Sequence, residues 1–197
     1  MGRPKTYDRE DVTRKAMQLF WEQGFEATST KALAEHMGIN VYSLFAEFES
    51  KQGLFEAALA LYRNEVVANV FGMLEEPGAG LDAIEALFDF FAAGAGKRNA
   101  KRGCLACNVA TERAASDSAS HDYVIAHAPF IEQGLYRALH NAKARGELCA
   151  DVSCRDQSRL LTSVILGLSV LMRADAERAF ITNAVRAARR DLDRLRA

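Results

Sequence analysis

Between residues 8 and 50, four short polar side chains each stand just before an apolar stripe of helical period: Asp8, Ser29, Asn40 and Ser50. An oxygen at that position accepts from backbone N–H groups that the first turn of a helix leaves orphaned. Asp11, three residues after Asp8, sits where a capping box places its second acid. The stripes are Val12, Ala16, Leu19 and Phe20, then Leu33 and Met37, then Leu44 and Phe48. Gly24 and Gly38 close the first two as C′ residues. Three short helices therefore follow one another, and the last two are joined by a turn too tight for anything but a steep crossing. That is the helix-turn-helix pattern, whose second helix enters the major groove of DNA while the first crosses the backbone. Leu33, Met37, Ile39, Leu44 and Phe48 form its small core, and Asn40 caps the reading helix.

The rest of the chain reads as helix too. Ser50 opens a longer segment reaching about Leu74, and residues 75–80 interrupt it with Glu-Glu-Pro-Gly-Ala-Gly. A stripe of Leu81, Ile84, Leu87, Phe88 and Phe91 follows. A basic connector over 94–103 then carries Lys97, Arg98, Lys101 and Arg102. Further helices are expected over about 104–114, 121–145, 154–174 and 177–195, with Pro129 kinking or splitting the second and Ser153 and Asp156 capping the third. Ala and Leu number 34 and 20, against 24 for Val, Ile and Thr together, a balance that favours helix over strand. The expected fold is all-α, with a helix-turn-helix domain over 1–52 and a larger helical domain over 53–197.

Several classes fall away. No apolar run reaches the ~18 residues of a membrane span, and the N-terminus has no signal-type apolar core. The expectation is a cytoplasmic protein whose four cysteines are reduced. A phosphate cradle, a nucleophile elbow and a His-x-x-x-His pair are all missing from the sequence, so neither an enzyme nor a cofactor is expected. The formal charge of -1 argues against DNA only until placement is considered. Residues 1–55 hold seven bases and eight acids, but Arg3, Lys5, Lys31 and Lys51 fall where phosphates would lie.

The stretch Leu19-Phe20-Trp21-Glu22-Gln23-Gly24-Phe25, Leu33-Ala34, Gly38-Ile39-Asn40 and Phe48-Glu49-Ser50-Lys51 resembles the TetR family of bacterial transcriptional regulators over about residues 8–62. The C-terminal part is similar only generically, through Ala144-Arg145-Gly146-Glu147-Leu148 and the helix pair after it. The resemblance implies a homodimeric repressor bound to a palindromic operator and loosened by a small-molecule effector in the larger domain. It also implies that Ser29, Thr30 and Lys31 touch phosphates, that Val41, Tyr42, Ser43 and Ala46 face base edges or nearby backbone, and that Lys51 clamps another phosphate. The Arg3/Lys5 arm would lie in a groove or along the backbone. Two departures stand out. Tyr42 replaces a frequent Gly, and Phe45-Ala46-Glu47 replaces a frequent Tyr-His, so the hydroxyl that Phe45 lacks is expected from Tyr42. Tyr42 packed on a neighbouring helix is the alternative, and Glu47 either accepts from a cytosine amino group or is solvated.

In the larger domain Cys104, Cys107, Asn108 and Thr111 share one helical face, suited to a pocket wall opposite Phe88, Phe91 and Phe130. Cys104 is expected to start a helix just after Lys101 and Arg102, a setting that lowers a thiol pKa. An electrophile- or redox-sensing repressor acting through Cys104 is therefore an alternative. Buried packing cysteines are another, and a zinc site is disfavoured by the spacing of Cys149 and Cys154. The four histidines are expected to be solvated or hydrogen-bonded, and no metal is expected. Leu160, Val164, Gly167, Leu168 and Leu171, then Ile181, Val185 and Leu192, fit either an intersubunit bundle or the core of one protomer. A third reading keeps the fold and the small-molecule site but loses operator binding.

Overall fold

The computed structural model describes residues 7–197, so the Arg3/Lys5 arm lies outside the described residues. Four helices open the chain: α1 (Arg9–Gln23), α2 (Thr30–Met37), α3 (Val41–Phe48) and α4 (Lys51–Tyr62). Each starts at its expected cap. The side chains of Asp8, Ser29, Asn40 and Ser50 accept from the N–H groups of Asp11, Ala32, Ser43 and Gly53. Gly38, at φ 74°, supplies the left-handed turn that sets α2 and α3 at their crossing. α4 passes through a π-helical turn at Arg63–Val67 into α5 (Ala68–Phe71) and a 3-10 turn ending at Leu74. The long fourth helix is thus widened in its middle, a distortion common at functional sites.

Beyond the break lie α6 (Leu81–Gly94), a 3-10 segment at Arg98–Arg102, α7 (Leu105–Glu112), α8 (Ser118–Ala144), α9 (Cys154–Arg173) and α10 (Arg178–Asp193). α8 runs unsplit through Pro129, so of the two expected effects the split does not occur. Cys104 is the N-cap of α7, at the helix start expected for it. The one β-bridge among the described residues joins Leu148 to Arg196.

α1 packs across α4 and carries α2, while α8 packs on α9 and α6 on α10. One continuous core links the two ends, from Phe20, Leu33, Leu44 and Phe55 to Leu87, Leu135 and Ile165. Phe20 meets Phe55 edge-on at 5.0 Å. Each such fully buried side chain contributes ~1.5–3 kcal/mol. Core packing, more than helix propensity, therefore holds the eight-residue α2 and α3. No described helix is long and apolar enough to cross a membrane.

Candidate DNA-reading helix and effector cavity

α3 buries Leu44 and Phe48 and leaves Val41, Tyr42, Phe45 and Ala46 on its other face. Tyr42 is 83% exposed, so it does not pack on a neighbouring helix, and its hydroxyl is free to reach outward. Three large apolar side chains exposed on eight residues are costly in water unless a partner covers them. Ser43 is half-buried, and Asn40 spends its side-chain oxygen on the Ser43 N–H at 2.7 Å. Ser29 likewise caps α2 through the Ala32 N–H, with Thr30 half-buried beside it and Lys31 exposed. Glu47 turns inward. Its carboxylate accepts from Arg9 Nε at 3.0 Å and from the Tyr7 hydroxyl at 3.3 Å, so neither the solvated nor the base-reading expectation describes it.

Lys51 holds its ammonium over the Phe25 ring at 4.1 Å, and burial lowers its pKa from the usual lysine value. Arg113 also stacks on that ring, 3.7 Å from the centroid. Glu112 accepts from the Phe25 and Glu26 N–H groups at 3.1 and 2.8 Å. The end of α7 therefore grips the α1–α2 turn from outside, a contact between residues almost ninety positions apart that no local sequence pattern announces.

Against the last turn of α1 lies an apolar cavity of about 360 Å³, within the size range of small-molecule sites. Tyr62, Val66, Val70 and Phe71 wall one side, with Phe91, Ile131, Ile165 and Met172 on the other. Trp21 reaches into it from α1, and Lys97, Asn99, Cys104, His127 and Ser169 supply polar atoms. Of the seven expected pocket residues, Phe91 and Cys104 line this cavity. Phe88 is wholly buried in the core, Asn108 donates to the Arg102 carbonyl, Thr111 is exposed and bonds its own helix, and neither Cys107 nor Phe130 reaches the wall. Cys104 meets the cavity from just before α7, and no residue of α7 itself lines it.

Residues 12–58 match the family described as bacterial regulatory proteins, tetR family, and residues 80–188 match the tetracyclin repressor-like C-terminal domain. The chain belongs to the TetR family. It is a helix-turn-helix transcriptional regulator, similar to the HTH-type transcriptional repressor ComR of Escherichia coli (strain K12) at 32% identity, over 89% of this chain and 84% of ComR. It is 30% identical to the uncharacterized HTH-type regulator YezE of Bacillus subtilis (strain 168), over 90% of this chain and 92% of YezE. Among solved structures it resembles a cysteine-substituted form of the TetR family regulator CifR complexed with 26-bp double-strand operator DNA. Identity there is 29%, the TM-score 0.84, and coverage 95% of this chain and 98% of that one.

The TetR-family cavity of this chain ends on a thiol cluster. Cys104 Sγ lies 3.3 Å from His127 Nε2, and His127, only 5% exposed, is buried on α8. The Cys104 thiol is held well below its ordinary pKa. A hydrogen bond from the Cys107 thiol is the main cause, burial opposes it, and His127 adds to it. The same bond and burial push Cys107 up. The cause differs from the sequence expectation, since Lys101 pairs with Asp175 at 2.6 Å and Arg102 with Glu22. His127 was missed because a single histidine in a helix carries no spacing signal. Cys149 donates its thiol to the Arg196 carbonyl and Cys154 is buried. Among the described residues no group of three or more His, Cys, Asp or Glu is placed to hold a metal.

The expected dimer stripe divides. Leu168, Ile181, Val185 and Leu192 are buried in the protomer's own core, which removes them from any intersubunit face. Leu160 and Gly167 are exposed and Val164 and Leu171 half-buried, all on the outer side of α9. Val170 and Phe180, 50% and 57% exposed, extend that outer apolar face onto α10.

Proposed function

We propose that this regulator is a cytoplasmic homodimeric repressor, released from a palindromic operator when a small apolar or aromatic molecule fills the cavity. Residues 1–52 are the DNA-binding unit, and 53–197 bind the effector and the second protomer. Val41, Tyr42, Phe45 and Ala46 read base edges, and Ser29, Thr30, Lys31 and Lys51, with the Arg3/Lys5 arm, hold phosphates. Leu160, Val164, Gly167, Val170, Leu171 and Phe180 form the intersubunit face. The observation that carries the reading is the apolar cavity whose wall includes Trp21 of α1, the helix that packs on α2. CifR's complex with operator DNA supports the DNA half. Selection of genomic fragments by the purified protein yields the operator. A gel shift against a panel of small aromatic and aliphatic compounds then tests release, and a protein that selects no fragment is the small-molecule binder without operator function.

A second reading rests on the Cys104–His127 contact. A thiolate at the cavity wall adds to the β-carbon of an α,β-unsaturated carbonyl. The alkene π pair moves to the carbonyl oxygen, and the enolate takes up one proton, so the thioether adduct is neutral. Intact mass after brief exposure to cinnamaldehyde, with Cys104→Ser as control, separates the two. Release of Cys104→Ser identical to that of the parent protein ends the thiol reading.

A further inference from the structure

Trp21 belongs to two places at once. It is a residue of α1, whose buried face supports α2 and α4, and its indole is part of the effector cavity wall. The ring is braced on the sides away from α1. It meets Tyr62 edge-on at 4.9 Å, and the Tyr62 hydroxyl accepts from the Leu105 N–H at 3.2 Å. Its indole N–H donates to the Gly103 carbonyl at 3.2 Å. Gly103 has no room to retreat. At φ 63° it lies so close to α9 that an added Cβ would stand 2.8 Å from both the Ser169 carbonyl oxygen and Arg173 Cβ.

The side that can yield is the end of α1 itself. Its last turn carries no basic residue of its own. The Trp21 and Glu22 carbonyls are capped instead from α9, by Arg173 Nη1 at 3.3 Å and Nη2 at 3.0 Å. Arg102 adds an ion pair to Glu22. These bonds are solvent-exposed and individually weak, whereas Tyr62 and the Gly103–α9 contact are tightly packed. Of the contacts around Trp21, the exposed ones at Arg173 and Arg102 resist displacement least, so a molecule pressed into the cavity against Trp21 loads the last turn of α1 there first.

The geometry points to Trp21 as the positioning residue that converts cavity occupancy into loss of operator grip, by pushing the end of α1 away from Gly103 and Arg173. This inference rests on the effector-release reading and names its route. The route can be tested without knowing the effector, by filling the cavity covalently. Ser169 lines the cavity and spends its hydroxyl only on its own helix, at Ile165 O, so Ser169→Phe projects a ring into the space. Operator affinity, on a duplex recovered by genomic selection, is expected to fall at least tenfold in Ser169→Phe. Trp21→Phe, which shortens the indole, is expected to bring the double variant back to within threefold of Trp21→Phe alone.

A folded Ser169→Phe that binds operator like the parent overturns the proposal, and so does a weakened one that Trp21→Phe leaves unrescued. Should Ser169→Phe fail to fold, Ala100→Phe, on another part of the wall, carries the same expectation and the same two refutations. The effector-release reading is scored separately, by energy transfer from Trp21, the single tryptophan, to 8-anilinonaphthalene-1-sulfonate. A protein that shows the variant cycle but takes up no dye has the route without an apolar-ligand cavity, and one that takes up dye with additive variants has the cavity without the route.

Discussion

Replacing Arg113 by Met asks how strongly the α1–α2 turn is fastened to the larger domain. The side chain is only 10% exposed. It stacks on Phe25 at 3.7 Å, donates to Gln52 at 2.9 Å and pairs with Glu26 at 2.7 Å and Asp117 at 3.5 Å. A partly desolvated cation–π contact contributes ~1–2 kcal/mol. The bond to Gln52 adds ~1 kcal/mol, and the pair with Glu26, itself 69% exposed, adds ~0.5 kcal/mol at most. Opposing these is the cost of a buried guanidinium whose Nε has no partner, ~1 kcal/mol or more. Met keeps the aliphatic packing and removes both sides of the account, leaving a net loss of ~2 kcal/mol. For a chain of this length that lowers Tm by ~4–8 °C, read by calorimetry at neutral pH. Arg155→Met is the control. Arg155 stacks on Tyr136 at a similar 4.4 Å but is 53% exposed, and its loss is expected to leave Tm almost unchanged. Equal shifts for the two variants, or a rise in Tm for Arg113→Met, would refute the argument that burial gives the contact its strength.

Iodoacetamide is expected to label Cys104 faster than Cys107 at pH 7, because one thiol is depressed and the other raised. His127→Ala should move the Cys104 rate profile to higher pH, and an unmoved profile removes His127 from the cluster. Burial raises the pKa values of Tyr62 and Tyr123. Their contribution to stability is full below the ordinary tyrosine pKa of about 10 and is lost as pH rises toward their folded values. Denaturant midpoints should therefore fall above pH 10, less steeply for Tyr123→Phe. Phe180→Glu is expected to give monomers by analytical ultracentrifugation with an unchanged far-UV CD spectrum, since Phe180 is 57% exposed in its own protomer.

The reading unit was legible because its signals are local. A cap, a period of 3.6 and a glycine at positive φ all lie within a few residues of the turn they dictate, and Asp8, Ser29, Gly38, Asn40 and Ser50 each act where their spacing put them. The cavity was only half legible because α1, α4–α6, α8 and α9 all contribute to it, and a helix's sequence does not say how far it is rotated about its axis. Phe88 and Phe91 show the limit. They lie three apart on one apolar stripe, yet Phe88 points to the core and Phe91 to the cavity. The α9 stripe fails in the same way. Leu160, Val164 and Leu171 flank Leu161, Ile165 and Leu168, and the positions of the helices packed on α9, α8 foremost, decide which flank is covered. Glu47 was misread because its partner Arg9 is 38 residues away.

Salt dependence ties the charge balance to the structure. Among the described residues of the reading unit, Arg9 is paired with Glu47 at 3.0 Å, Arg14 with Glu65 and Glu10 at 2.5 and 2.6 Å, and Lys15 with Asp11 at 2.8 Å. Lys31 is 84% exposed and only loosely near Glu35, at 3.9 Å, and Lys51 leans on an aromatic ring instead of an acid. Lys31 and Lys51 are thus the cations of this unit that meet phosphates at least cost. For the proposed dimer they neutralise about four phosphates, and each contributes about −0.9 to the slope of log K against log salt concentration. The described residues alone then give a slope of about −4. Arg3 and Lys5, outside the described residues, bring it to about −7 if both arms engage. Deleting residues 1–5 should accordingly flatten the slope by about 3–4, and Lys31→Ala by about 2 in the dimer. A slope much steeper than −7 that survives the deletion would mean that Arg9, Arg14 or Lys15 abandons its acid for DNA. The ion pairs on α1 would then be resting contacts of the free protein, broken when the operator is bound.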